Sequence, residues 1–329
     1  MKLIPEWYDH AQCLIAWPCN LELYGPHIQS ARKEISNLAN QISEEEPVYI
    51  YCNPQDMKDC RLTVSNQEIS IIEANLDDSW MRDIAPIFYR EGKDLNSINF
   101  NFNGYGKYPN FKNDNLISDI ICNQFKIPFK RSSITLEGGG ITYDDQGNLF
   151  TTESVLLNPN RNNLSKQFLE EELKKYFSLK NIIWFKSGLF GDDTDGHIDN
   201  IFCPIGNNQF LIASTKDTKS KNYNILQEAK ELVKENLFRI NPKNEIIEIP
   251  LPTKIQIDNK FLVASYINFY FCKNSLIIPK FNVEEDLQVY DIFQSIFPNK
   301  KIKMIETSYI NYGGGNIHCV TMNVPKYEN

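Results

Sequence analysis

The chain has 329 residues, a formal charge of −8, 42% hydrophobic residues and 12% aromatic residues. That acidity argues against nucleic acid and anionic membranes as partners. No apolar run nears the ~18 residues of a membrane span and Met1 to Trp7 carry no secretory apolar region, so the reading is soluble and cytoplasmic.

Apolar residues at helical spacing alternate with strand-like runs. Ile28, Ala31, Ile35, Leu38 and Ile42 predict a helix, followed by a strand at Val48-Tyr49-Ile50-Tyr51. Leu116, Ile117, Ile120, Ile121 and Phe125 predict a second helix. Thr142-Tyr143 and Leu149-Phe150 flank Asp145-Gln146-Gly147-Asn148, a hairpin signal. Leu164, Phe168, Leu173 and Phe177 predict a third helix, with Ile182 to Phe185 as the next strand. Ile225, Leu226, Ala229, Leu232, Val233 and Leu237 lead to a strand at Ile246 to Ile249. Leu287, Tyr290, Phe293 and Phe297 lead to one at Lys301 to Ile305. Five helical units, each with about three strands and no low-complexity linker between them, point to an internal repeat. Leu136-Glu137-Gly138-Gly139-Gly140-Ile141 echoes Asn311-Tyr312-Gly313-Gly314-Gly315-Asn316, and Asp77 to Asp83 echoes Asp192 to Asp199. A repeat about an axis brings such loops to one centre.

Of eight cysteines none forms a C-x-x-C pair. Without an export signal, neither disulfides nor a Cys-rich zinc site is expected, and most thiols read as buried small hydrophobes. Cys319 differs because it follows Gly313-Gly314-Gly315, where missing Cβ atoms permit close approach. It is either a structural thiol after a turn or a nucleophile in a crowded site. A nucleophile needs a proton partner, and the chain has four histidines. If Ile317 to Thr321 is a strand, alternation turns His318 away from Cys319 and makes it structural or supporting. An extended His197-Ile198-Asp199 places the imidazole and carboxylate on one face, with Ile198 in the core. Asp192, Asp193 and Asp195 precede them; a divalent metal is the competing reading, but no second His stands at ligand spacing. Trp80-Met81-Arg82-Asp83 is either a buried Trp beside an Arg82–Asp83 pair or a cation site. Glu137 adds a further acid. Several acids around a thiol suit a planar, cationic guanidinium electrophile better than an amide.

These residues resemble the guanidine-modifying superfamily and, within it, the agmatine deiminase family. The matching stretches run in family order along almost the whole chain. They are Pro5 to Trp7, Ala16 to Pro18, Asp78 to Asp83, Leu136 to Gly139, Leu156 to Asn162, Asp193 to Asn200, Ser265 to Tyr270 and Gly313 to Thr321. The resemblance implies one catalytic domain over residues 1–329, folded as a five-bladed α/β propeller of the pentein type with ββαβ repeats. It implies Cys319 as nucleophile, His197 as general acid and base, Asp83 and Asp199 as guanidinium ligands, and Glu137 as an orienting acid. Trp80, Asp193, Gly314 and Gly315 would line the substrate. Asp193 stands where the family more often has Glu, and Ala85 where it usually has Gly. The expected reaction is hydrolysis of agmatine to N-carbamoylputrescine and ammonia through a thiouronium intermediate, in polyamine biosynthesis. No cofactor or metal is expected, and a homodimer or larger homo-oligomer is. Deimination of another guanidine such as free or peptidyl arginine, amidine transfer, and non-catalytic guanidine binding are the alternatives.

Overall fold

The computed structural model describes residues 1–253 and 255–326. The fold is α/β. Helices form at Ile28–Ser43, Asp114–Phe125, Lys166–Tyr176, Asn222–Ile240 and Glu285–Ile296, matching the five predicted units. Local chemistry sets their ends. Ser165 accepts a hydrogen bond from Phe168 N at the start of its helix, and Lys174 and Lys175 oppose the dipole at its end. The helix Asp114–Phe125 stops at Lys126, which is left-handed at φ 55°.

The predicted apolar faces are too wide in places. Leu116 and Ile120 are exposed while Ile117 and Ile121 are buried. Adjacent residues sit about 100° apart on a helix, so both members of such a pair cannot face one neighbour. Leu164, Phe168, Leu287 and Tyr290 are also exposed.

Five sheets repeat one connection. Within each, two strands pair antiparallel and the second pairs parallel with a strand reached through a helix. The predicted hairpin is present as Ile141–Tyr143 against Asn148–Thr152, with Asn181–Phe185 parallel to the latter. Apart from these lies a short hairpin, Ile255–Ile257 against Lys260–Leu262.

Two features of this topology place the site. The last strand, Thr321–Pro325, pairs antiparallel with His10–Ala16, with Thr321 opposite Ile15. Lys2–Leu3 joins a different sheet, opposite Arg90 and Tyr89, so the segment between them spans two sheets and carries Glu6 beneath the Cys319 turn. Elsewhere Ile198 and Ile201 sink into a cluster with Phe150, Phe185, Phe202 and Phe210, anchoring the loop that bears His197 and Asp199. No helix among the described residues is long and apolar enough to cross a membrane.

Candidate active site

A cavity of about 230 Å³ gathers Trp80, Asp83, His197, Gly313, Gly314, Gly315 and Cys319 with Asp78, Tyr105, Tyr108, Asp193 and Glu22. Cys319, His197 and Asp83 are buried and form its inner end, whereas Glu22 and Asp193 are exposed at its mouth. Glu137 and Asp199 stand behind this lining rather than in it.

Cys319 is not on a strand. Ile317–Val320 is a single helical turn, started by Asn316, whose side chain accepts from Ile317 N. The strand begins only at Thr321, whose hydroxyl donates back to Ile317 O at 2.7 Å. The strand-like Ile-His-Cys-Val pattern yields here to a strong N-cap, and the alternation that turned His318 away from Cys319 does not apply. Both residues meet Asp199 Oδ2, His318 Nδ1 at 2.9 Å and Cys319 Sγ at 3.5 Å. His197 likewise does not continue an extended run: Ile198–Asn200 is a 3₁₀ turn. Ile198 does point into the core, and the turn brings His197 and Asp199 together.

The glycines make this convergence possible. A Cβ on Gly139 would lie 2.6 Å from His197 Nδ1, 2.9 Å from Asp199 Oδ2 and 3.0 Å from Asp83 Oδ1. Three functional atoms therefore crowd the place where any other residue has a side chain. A Cβ on Gly315 would overlap the Trp80 ring, so that ring rests directly on the backbone beside Cys319. Gly314 has φ +112° and opens toward Asp193 Oδ2.

Each acid has its own restraint. Asp83 Oδ1 accepts from Gly139 N at 2.8 Å and Oδ2 from the Tyr105 hydroxyl at 2.9 Å. Arg82 turns away from it to Glu6, at 2.9 Å, so no Arg82–Asp83 pair forms. Glu137 Oε1 accepts from Arg161 Nε at 2.8 Å, and Oε2 faces His197 Nε2 at 3.8 Å. His197 Nδ1 lies 3.7 Å from Asp83 Oδ1. Asp192 braces the loop by accepting from Thr194 N and His197 N, and Asp195 pairs with Arg161 and Lys107. Of these three loop acids only Asp193 lines the cavity. Arg131 and Arg239 lie elsewhere, with Asp119 and Asn236. No group of three or more His, Cys, Asp or Glu side chains among the described residues has metal-binding geometry.

These contacts set the protonation states. Burial pushes the Cys319 thiol well above its ordinary range, and the Asp199 and Asp83 charges push it the same way. Burial opposes the His197 charge, but Asp83, Glu137 and Asp199 outweigh it and lift the imidazole to about 9. Burial raises Asp83 to about 6 even beside the His197 charge. Burial also disfavours the Asp199 and Glu137 carboxylates. His318 and His197 offset it at Asp199, and His197 and Arg161 at Glu137, leaving both below the usual range. At neutral pH the centre is thus a thiol beside an imidazolium, with ionised acids around them. Glu137 Oε2, His197 Nε2 and Asp199 Oδ1 are buried without a hydrogen-bond partner among the described residues.

Three neighbours were not singled out from sequence. Asn268 Nδ2 lies 3.1 Å from Cys319 Sγ, while its Oδ1 accepts from His318 N at 2.9 Å. It lies in the matched stretch Ser265 to Tyr270, which was its only signal. Tyr105 occurs between Gly104 and Gly106, all three with positive φ, a hint of an aromatic forced into place. Glu6 likewise had only its place in the matched stretch Pro5 to Trp7.

A buried thiol and imidazole among carboxylates thus close the inner end of an acidic cavity. Residues 2–325 match the model of the Porphyromonas-type peptidyl-arginine deiminases, and the chain belongs to that family. It is a hydrolase acting on C–N bonds. It is 34% identical over 326 residues to a Legionella pneumophila (strain Paris) protein provisionally named an agmatine deiminase, covering 98% of this chain and 94% of that one. The agmatine deiminase of Enterococcus faecalis superimposes with a TM-score of 0.94 at 26% identity, over 99% and 96% of the two chains. A cysteine-to-serine variant of the C. jejuni agmatine deiminase with substrate bound gives 0.92 at 27% identity, over 100% and 97%.

The crowding at Gly139 yields a direct test. Gly139→Ala should destabilise the protein by about 1–3 kcal/mol, the cost of overpacking a closed site. Gly140→Ala, whose nearest neighbour would be Val155 at 3.5 Å, should be tolerated. Denaturant melts of the two variants decide the matter: equal stability would show that the three polar atoms can move apart freely.

Proposed function

We propose that the protein hydrolyses agmatine to N-carbamoylputrescine and ammonia. The observation that carries this reading is the lining of the cavity. It contains Glu22, Asp78, Asp83 and Asp193 and no Arg or Lys among the described residues. Agmatine carries a guanidinium and an ammonium and no acid. Free arginine adds a carboxylate, for which the cavity lining offers no Arg or Lys side chain; around it Arg161 is committed to Glu137 and Asp195, Arg82 to Glu6, and Lys107 to Asp195 and the Asp193 carbonyl. The likeness to agmatine deiminases over almost the whole chain supports the same choice.

In this reading Asp83 receives the guanidinium at the inner end of the cavity, and Asp199 completes the pair through Oδ1. The Trp80 face supports the aliphatic chain. Burial and the nearby carboxylates keep Cys319 protonated; arrival of the positive charge offsets them, and the thiol releases its proton to solvent. The thiolate attacks the guanidinium carbon, forming a C–S bond. His197, already an imidazolium, protonates the departing nitrogen, which leaves as ammonia. A thiouronium remains on Cys319. The neutral His197, oriented by Glu137, then takes a proton from water as that water attacks the same carbon. Collapse of the adduct forms the carbonyl and breaks the C–S bond; the hydroxyl proton passes to the departing Cys319 thiolate, restoring the thiol, and N-carbamoylputrescine is released.

Around this centre the five repeated sheets are read as the blades of a five-bladed α/β propeller, closed by pairing of the last strand with His10–Ala16. The chain acts as one cytoplasmic catalytic domain, forms a homodimer or larger homo-oligomer, and takes part in putrescine synthesis.

Replacement of the nucleophile is the plainest test. Cys319→Ser should lower ammonia release from agmatine by about a thousandfold or more, because an unactivated hydroxyl is a poor nucleophile. Rapid quenching of the native enzyme should show the amidine mass on Cys319. Full turnover by the Ser variant would end the covalent scheme.

Specificity has its own test at the cavity mouth. Asp193 is exposed, so its contact with the distal ammonium is worth about 1 kcal/mol, the upper range for a solvated ion pair. Asp193→Asn should raise KM about fivefold for agmatine and leave a simple alkylguanidine unchanged. Equal losses on both substrates would assign Asp193 to bracing the loop instead.

A further inference from the structure

A chain of charges runs from buried Asp199 through buried His318 to half-buried Glu6 in the N-terminal segment, and the steps above make no use of it. The His318 ring places Nδ1 2.9 Å from Asp199 Oδ2 and Nε2 3.0 Å from both oxygens of Glu6. Carboxylates only accept at neutral pH, so each ring nitrogen must donate and the ring is an imidazolium. Glu6 also accepts from Arg82 Nη1 at 2.9 Å. The Asp199 oxygen that His318 occupies is the one 3.5 Å from Cys319 Sγ, and Asp199 Oδ1 has no partner among the described residues. The His318 backbone is pinned by Asn268, which also lies against the thiol.

We propose that His318, kept charged by Glu6, is a positioning residue that fixes Asp199 through Oδ2, keeps it ionised and leaves Oδ1 for the guanidinium. The guanidinium part of this statement rests on the deiminase reading; the coupling among the three side chains does not. The physical need is clear. Asp199 and Asp83 are both buried within reach of one point at Gly139. Two carboxylates so placed cannot both stay ionised without nearby cations. His197 stands on one side and His318 on the other.

The groups around His318 are few. Asp199 faces it from the turn Ile198–Asn200, Glu6 from the N-terminal segment and Arg82 from the turn Met81–Ile84; the Cys319 thiol is its chain neighbour. Around Glu6 and Arg82 lie Cys203 and Tyr143, both held neutral by burial, and His10 lies near Glu6. Burial and Arg82 oppose the His318 charge; Glu6 and Asp199 outweigh them, and its pKa is raised. Removing the Glu6 charge leaves Arg82 unbalanced and must lower it. The ring then loses its charge as pH rises through the lowered value, which the native ring does only at higher pH.

Nitrogen NMR of the four histidines, read beside a pH profile, separates this role from a structural one. In the native protein both His318 ring nitrogens should be protonated at neutral pH. In Glu6→Gln the midpoint should fall by about one unit or more, and kcat/KM for agmatine should drop about tenfold on the alkaline side with kcat less affected. Glu6→Asp should restore most of both. His318→Gln should lose kcat/KM at every pH while keeping a near-native melt; a variant that fails to fold leaves the Glu6 pair to decide. A neutral His318 in the native protein overturns the proposal, as does a lowered midpoint with an unchanged pH profile in an active enzyme. If agmatine is not turned over at all, the deiminase reading falls. The coupling then stands on the NMR arm alone: a lowered midpoint in Glu6→Gln supports it and an unmoved one overturns it.

Discussion

The structure depends on keeping several carboxylates ionised in a buried space around one thiol. Asp83, Asp199 and Glu137 are all buried, and ordinary burial would neutralise them. What prevents this is a set of cations, each held by a different part of the chain. His197 lies between Asp83 and Glu137, Arg161 holds Glu137, and His318 holds Asp199 with Glu6 and Arg82 behind it. Closing the sheet between the chain's last strand and His10–Ala16 is what brings Glu6 to this position. The topology thus acts as an electrostatic scaffold, and Gly138, Gly139, Gly313 and Gly315 let its parts approach.

Under the proposed function, that balance explains how a thiol with a high pKa would serve as a nucleophile. The surrounding acids favour the protonated thiol, so the free enzyme holds a weak nucleophile that reacts slowly with chance electrophiles. In that proposal a guanidinium brings the charge that reverses the preference. Substrate recognition and activation of the thiol become one event. A neutral amide brings no such charge and cannot trigger it. The same proposal uses the His197 imidazolium to protonate the leaving nitrogen.

Much of this was legible in the sequence, and the exceptions have physical causes. The five helices and most of their following strands were read from local periodicity, and local periodicity made them. Cys319, His197, Asp83 and Trp80 were singled out as chemically unusual residues beside glycine or in acidic loops, and they share one cavity. Ile317–Val320 and Ile198–Asn200 read as extended but are turns, because stretches of three or four residues carry too little pattern to separate a turn from a strand. Tyr105, Asn268 and Glu6 were missed for a different reason. Each acts across more than twenty residues of sequence, through Asp83, Cys319 and His318 respectively, and no local signal records such a contact.

The central claim is that a cationic substrate turns a resting thiol into a thiolate. The ultraviolet thiolate absorbance of Cys319, taken as the difference between the native enzyme and Cys319→Ser, tests it most directly. It should be absent from the free enzyme at neutral pH and rise on rapid mixing with agmatine, before ammonia is released. A full thiolate signal in the free enzyme at neutral pH would contradict the account.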